Sequence, residues 1–317
     1  MENNVNNHPE NHNHPQHQHN TSPNPEYQKS WYDRNYKLLL IIPAVLVIFS
    51  LIYLVNFYNH NNDLVYKDVS LTGGTTVTVF DKNVNPITLK SALISQFPDI
   101  MTRGISDIRT GSQQGVLIET TANSDMIKSA LEKYLGYNLT SDNSSIEFSG
   151  STLSSGFYQQ LRIALLISFM LMAIVVFLIF RKPIRSLSII LAGLFDIMMT
   201  IVVMDMFRVQ LSTAGIVALL MLIGYSIDVD ILLTTRVFRD REGTLNHRIF
   251  SGFKTGITMT LTAMAAAAVS LIFTYSLSPV LAQMFTIILV GLGFDILNCW
   301  ILNASILKWY MEIKKLS

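Results

Sequence analysis

Residues 255–294 read TGITMTLTAMAAAAVSLIFTYSLSPVLAQMFTIILVGLGF, 40 positions without one formal charge. A helix needs about 20 apolar residues to cross a hydrocarbon core, so this run is too long for one span. Its polar middle, Tyr275-Ser276-Leu277-Ser278-Pro279, is the natural place to reverse direction, because proline lacks the amide donor and restricts the residue before it. Working outward, Leu38 to Phe57 and Ile163 to Phe180 carry no charge, Ser186 to Met204 carries only Asp196, and Leu211 to Thr235 carries Asp228 and Asp230 near its end. Six spans follow, at about 38–57, 161–180, 186–206, 211–235, 255–275 and 280–307. Composition agrees: 50% of the 317 residues are hydrophobic and 14% charged, against roughly 25% in soluble domains, which excludes an ordinary soluble enzyme. Lys and Arg number 23 and Asp and Glu 22, so no clustered positive excess points to nucleic acid. The single cysteine, Cys299, excludes an intramolecular disulfide framework and a CxxC site.

Loop charge predicts the orientation. Lys29, Arg34 and Lys37 precede span one, and Arg181, Lys182 and Arg185 separate spans two and three. Arg236, Arg239, Arg241, Arg248 and Lys254 lie between spans four and five, and Lys308, Lys314 and Lys315 follow span six. All four basic segments fall on one side of a six-span path, which the positive-inside rule places in the cytoplasm with both termini. Residues 58–160 are then external. Residues 1–28 are rich in Asn, His, Pro and Gln, with His8, His12, His14, His17 and His19 irregularly spaced, and have no apolar periodicity. They are expected to form a disordered cytoplasmic tail rather than a metal site. Residues 308–317 form a second, short cytoplasmic tail, and no motif in the chain asks for a cofactor or metal.

Between spans one and two the pattern turns to alternation. Thr75 to Phe80, Gly104 to Arg109, Val116 to Thr121 and Ser145 to Phe148 read as strands. Pro86 to Phe97 and Ser124 to Leu135 read as helices, the second capped by Asn123 or Ser124 and carrying Ile127, Leu131 and Leu135 at helical spacing. The order β-α-β-β-α-β is the ferredoxin-like arrangement. Gly73-Gly74 marks a tight turn or a close backbone approach before the first strand. The acids of this domain are scattered and form no catalytic constellation.

Four aspartates lie at bilayer depth, where an ionisable side chain costs at least ~2.5 kcal/mol and usually faces a partner, a cavity or an ion path. Asp196 sits halfway along span three, Asp295 near the middle of span six, and Asp228 and Asp230 in the last part of span four. Two helical positions are about 200° apart, so Asp228 and Asp230 point to nearly opposite faces. On span six, Gly291, Asp295, Asn298 and Cys299 share a face and Asn303 lies close to it, while Gly193, Asp196 and Thr200 share a face of span three. Such stripes permit close helix approach and interhelical hydrogen bonds. The strings Gly193-Leu194-Phe195-Asp196-Ile197 and Gly293-Phe294-Asp295-Ile296 suggest two related three-helix halves. Span five, with its threonines and Ala263 to Ala268, reads as a helix packed on protein or lining a polar path.

The stretch Gly224-Tyr225-Ser226-Ile227-Asp228-Val229-Asp230-Ile231-Leu232-Leu233-Thr234-Thr235-Arg236 resembles the fourth-helix signature of the SecD/SecF protein-export membrane proteins, in the archaeal SecF form. Leu71-Thr72-Gly73-Gly74-Thr75 resembles the approach to the family's first external strand, Lys254 to Thr262 its fifth helix, and Asp295 to Asn303 its sixth. The resemblance covers about residues 30–312. It implies an RND-like bundle of six transmembrane helices that pairs with a SecD-like membrane protein and assists the Sec translocon, a SecY-type channel. There the pair would draw the translocating polypeptide outward at the expense of the proton gradient. In bacterial relatives the motif reads Gly-Tyr-Ser-Ile-Asn-Asp-Thr, with its acid on the position of Val229, so a proton carrier here falls to Asp228 or Asp230. The family's basic fifth-helix partner falls near Lys254. The resemblance thus implies a proton relay or intramembrane polar network drawn from Asp228, Asp230, Asp196, Asp295, Lys254, Asn298 and Asn303.

Three rivals differ in class. Intramembrane aspartyl proteases carry Gly-x-Gly-Asp, which Gly291-Leu292-Gly293-Phe294-Asp295 misses by one residue, about 100° of helix. An RND-type small-molecule exporter would normally need both six-helix halves in one chain. A structural companion of the translocase would use the aspartates as interhelical glue.

Overall fold

The computed structural model describes residues 31–107, 110–239, 244–275 and 278–314. The histidine-bearing segment 1–28, Lys29, Arg109, Arg241, Ser276, Leu277 and Lys315 lie outside the described residues. The chain divides between Asn35 and Tyr36 into two units, and the larger, Tyr36–Ser317, carries the architecture that follows.

Six helices are long and apolar enough to cross a membrane, Arg34–Asn61, Ser151–Phe180, Pro183–Met206, Thr213–Arg239, Leu245–Thr274 and Val280–Ile313, one for each span expected. In chain order the elements are α1 (Trp31–Leu39), α2 (Ile41–Asn61), a short α3 (Val69–Thr72), β1 (Gly74–Val79), α4 (Pro86–Leu93), β2 (Met101–Ser106), β3 (Gln113–Thr120), α5 (Ser124–Leu135) and β4 (Ser144–Ser149). Then come α6 (Ser151–Phe180), α7 (Pro183–Met206), α8 (Thr213–Arg239), α9 (Leu245–Thr274), α10 (Pro279–Leu297), a π-helical stretch at Asn298–Asn303, and α11 (Ala304–Ile313). Helices outrun the apolar cores. Arg236 and Arg239 end α8, and Arg248 and Lys254 lie inside α9 rather than in a loop, because intrahelical hydrogen bonding does not stop where apolarity does.

The inserted domain has the expected β-α-β-β-α-β order and a sheet in the order β2-β3-β1-β4, antiparallel throughout. Asn85 caps α4 through the amides of Ile87 and Thr88, and Asn123 caps α5 through that of Asp125. α4 stops at Leu93, short of the expected Phe97: Ile94 to Gln96 continue as turns, and Pro98 disfavours helix at Phe97 itself. β2 begins at Met101, three residues ahead of the expected start, because pairing with β3 from Met101 opposite Glu119 sets its bounds. Val77, Val79, Val116 and Ile118 of one sheet face are buried with Leu89, Ile127 and Leu131 of the helices, forming this domain's own core. Gly73 and Gly74 have φ of +81° and +141°, and a Cβ on either would lie 2.4 Å from Ser151 Cα or 2.3 Å from the Thr120 carbonyl oxygen. Both features, the conformation and the close approach, require glycine.

This domain is tied to the bundle twice. α6 leaves β4 through the single residue Gly150 and starts ten residues before the apolar run that was expected to begin it. On the other side, Lys67 and Leu211 form an isolated parallel bridge: the Asp68 amide donates to the Leu211 carbonyl at 3.0 Å and the Leu211 amide to Tyr66 at 2.6 Å. The Tyr66 amide reaches Asp205 Oδ1 at 3.3 Å and the Thr213 amide reaches Ser70 Oγ at 3.2 Å. Gln283 of α10 holds the same loop through the Ser212 hydroxyl and the Gln210 carbonyl.

A buried carboxylate cluster between α7, α8 and the π-helical turn

The bundle core is built from α7, α8 and α10, with Leu219, Leu222, Ile189, Ile287 and Leu292 buried among them. Gly291 lets α10 approach α8, for a Cβ there would sit 2.3 Å from Leu222 Cδ2. Gly256 lets α9 approach the π-helical stretch, where a Cβ would sit 2.6 Å from Trp300 Cζ2. Into this close-packed centre three carboxylates project: Asp196 is 1% exposed, and Asp230 and Asp295 are 0% exposed.

Asp196 of α7 accepts from Ser226 Oγ of α8 at 2.5 Å and from Asn298 Nδ2 at 2.7 Å. Asp230 accepts from Asn303 Nδ2 at 2.8 Å through Oδ1, while its Oδ2 has no hydrogen-bond partner. Asp295 has Ser226 and Thr260 beside it, yet neither of its oxygens meets a donor in hydrogen-bonding geometry. Ser226 stands against both Asp196 and Asp295, which puts these two acids on either side of one hydroxyl. Among the described residues no lysine or arginine forms an ion pair with any of the three.

The backbone explains why both asparagines point inward. Five residues along an α-helix rotate the side chain by about 500°, leaving Asn303 about 140° from Asn298. The i→i+5 bonding of the π-helical stretch widens each turn and so brings Asn303 closer to the direction of Asn298 than an α-helix would. Asn298 therefore serves Asp196 while Asn303 serves Asp230 on the next turn.

The structure thus brings together Asp196, Asp230, Asp295, Asn298 and Asn303 from the candidate network. It leaves out two members. Asp228 is exposed, on the face of α8 opposite Asp230 as their 200° separation requires, and Lys254 is exposed on α9. Neither forms an ion pair among the described residues, so the interaction expected between Lys254 and an aspartate is absent there. Ser226 and Thr260 belong to the cluster and were not singled out by sequence. Ser226 lies one helical turn before Asp230, and Thr260 extends the buried line Gly252, Gly256, Thr260 on α9. The two Gly/Asp strings are not equivalent either: Gly193 is buried beside Asp196, whereas Gly293 is exposed and Gly291 makes the contact. α9 turns one small-residue line to the bundle and leaves Thr258, Thr262, Ala265 and Ala266 exposed.

Taken together, a ferredoxin-like domain inserted after the first of six helices long and apolar enough to cross a membrane, with three carboxylates buried among those helices, defines a polytopic membrane protein with an inserted α/β domain. The family model described as "Protein export membrane protein SecD/SecF, C-terminal" matches residues 129–313. The protein-export membrane protein SecF of Methanothermobacter thermautotrophicus is 35% identical over 286 residues, which is 89% of this chain and 94% of that protein. That of Methanocaldococcus jannaschii is 37% identical, covering 88% and 96% respectively. The chain belongs to the SecD/SecF family of protein-export membrane proteins, with archaeal SecF proteins among its relatives. Its fold is similar to the crystal structure of SecDF, a translocon-associated membrane protein from Thermus thermophilus, with a TM-score of 0.70 at 17% identity, over 90% of this chain and 39% of that one. A super-membrane-facing form of SecDF gives a TM-score of 0.53.

Proposed function

We propose that the chain is the SecF-like subunit of a two-protein complex with a SecD-like membrane protein, and that it assists Sec-dependent translocation of polypeptides through a SecY-type channel, driven by the proton gradient. It has no enzymatic role in this reading. Both termini are cytoplasmic and the sheet domain is external, in keeping with the basic loops. The observation that carries the coupling step is Asp295, fully buried with both oxygens unpartnered, next to two further carboxylates that have no cation. A charge at this depth is costly, and adding or removing a proton changes which helix packing is favoured by a few kcal/mol. A potential of 100 mV is worth about 2.3 kcal/mol per charge, enough to bias such an exchange. α6, continuous with β4 through Gly150, and the strap at Lys67 and Leu211 would pass that exchange to the sheet domain. The exposed Asp228 and Lys254 would face the SecD-like partner, since charged side chains at bilayer depth seldom face lipid.

The test is export of a secreted reporter in cells carrying Asp230→Asn or Asp295→Asn, with the level of the protein and its co-purification with the SecD-like partner followed in the same membranes. Lost export with intact assembly is expected. Normal export in both variants would remove proton coupling through this cluster and leave a structural companion of the translocase.

A further inference from the structure

The register of the sheet sorts its residues onto two faces. One face is the domain core. On the other, Glu147 of β4, Thr76 of β1, Glu119 of β3 and Met101 of β2 form one row across the strands, and Ser145, Thr78, Leu117 and Arg103 form the next. α4 and α5 both pack on the core face and leave this one uncovered. Instead it forms a cleft of about 880 Å³ with the adjoining ends of α6, α8 and α10, whose wall includes Leu153, Phe157 and Thr213.

The chemistry of the lining is specific. Phe80, Leu153 and Phe157 are exposed around it, a cluster of large apolar side chains that water solvates poorly. Asp68, Glu119 and Glu147 contribute carboxylates, and Arg103 stands beside Asp68 and Glu119 in an adjoining smaller recess. β4 stands at the edge of the sheet beside the cleft, with its second backbone side unpaired among the described strands. An edge strand presents donors and acceptors at the repeat of an extended chain, and flanking pockets then read alternate side chains.

We infer that this cleft binds an extended segment of polypeptide that carries basic and apolar side chains, seated along β4 with its cations toward Glu119 and Glu147. The inference rests on the reading that the chain handles translocating polypeptide, and it adds where and by what chemistry a segment is held. The occupancy is pH-dependent. Burial, with Asp68 close by and against the pull of Arg103, pushes the Glu119 carboxyl up to about 7. The groups facing Glu119 are Asp68 before α3, Arg103 on β2 and Glu147 across β1. Glu119 therefore gains its proton as the medium turns from mildly alkaline to mildly acidic, and its hold on a cation weakens.

The test uses the full chain in nanodiscs of zwitterionic lipid, without translocon or gradient. Two dye-labelled, unstructured decapeptides are compared by fluorescence anisotropy, one alternating lysine with valine and one alternating glutamate with valine. The lysine peptide is expected to bind about tenfold more tightly, and Glu119→Gln with Glu147→Gln together to remove that preference. Glu119→Gln alone should flatten the pH dependence between 6 and 8. A benzoylphenylalanine placed at Phe80, which shares the face of Thr76 and Thr78 and is exposed at the cleft, should crosslink to the lysine peptide, and one at the exposed Ile87 of α4 should not. Equal binding of both peptides, unchanged by the substitutions, overturns the inference, as does crosslinking from position 80 in native membranes to a second membrane protein alone. Because no export step enters, an Asp295→Asn variant that binds peptide but fails in export separates this site from the coupling cluster.

Discussion

Asp196 and Asp295 occupy the same buried centre of the bundle, but their oxygens are used differently. Asp196 satisfies two donors, Ser226 and Asn298, whereas Asp295 satisfies none. In the proposed function, that difference separates glue from a site of exchange. In Asp196→Asn the amide can keep both contacts if the Asn298 amide flips, since Asn298 Oδ1 has no partner of its own and can accept from the new donor. Asp196→Ala instead strands the Ser226 hydroxyl and the Asn298 amide, at about 1–3 kcal/mol for each buried group. Thermal unfolding of the purified protein followed by detergent-resistant fluorescence should therefore show a large drop for the alanine variant and a small one for asparagine. Equal drops would mean that the carboxylate's charge or shape, rather than its hydrogen bonds, holds α7 to α8. The four aspartates were legible in the sequence as unusual, and the pairing of Asn298 and Asn303 with separate acids was not, because it depends on side chains brought from other helices.

At the scale of the element, close approach decides where the cluster can form. Leu222 is fully buried, and all three outer carbons of its side chain lie within 3.0 Å of where a Cβ on Gly291 would stand. Gly291→Val must displace that side chain or push α10 from α8, and overpacking of this kind typically costs about 1–3 kcal/mol. We expect Gly291→Val to lower the melting temperature and export together, and Gly293→Val, on the exposed side, to leave both close to wild type. Loss of function from the Gly293 variant with a normal Gly291 variant would place the helix contact on the wrong face. The glycines themselves were visible in the sequence, but their roles were not. The similarity of the strings around Asp196 and Asp295 drew attention to Gly193 and Gly293, and only one of those two packs against a neighbour. The π-helical stretch carries no sequence mark, since Asn298 to Asn303 contains neither proline nor glycine.

Over the whole molecule, the sheet domain is held by one continuous helix and one loop-to-loop strap. If proton exchange in the bundle moves the domain, the strap must slide or open. Cysteines at Ser70 and Thr213, whose hydroxyl and amide are 3.2 Å apart, should form a disulfide on mild oxidation that halts export and releases it on reduction. Full export with the disulfide formed would show that the two parts work as one rigid unit. The inserted domain also shows how far local signals reach: α5 falls at its expected Ser124–Leu135, framed by an Asn123 cap and a Gly136 stop, while β2, without such punctuation, is displaced by three residues toward its partner strand.

The sequence by itself determined the six spans, the inserted β-α-β-β-α-β order, the family and the presence of acids at bilayer depth, because each follows from local apolarity, caps or short motifs that act along the chain. Tertiary structure alone decided that Asp230 turns inward and Asp228 outward, that Lys254 stands apart from the acids, that Asn298 and Asn303 serve acids on two different helices, and that the sheet leaves an acidic, aromatic-rimmed cleft against the bundle. The physical reason is common to all four. Which side of a helix or sheet is buried is fixed by what packs against it, and those partners lie far away in sequence.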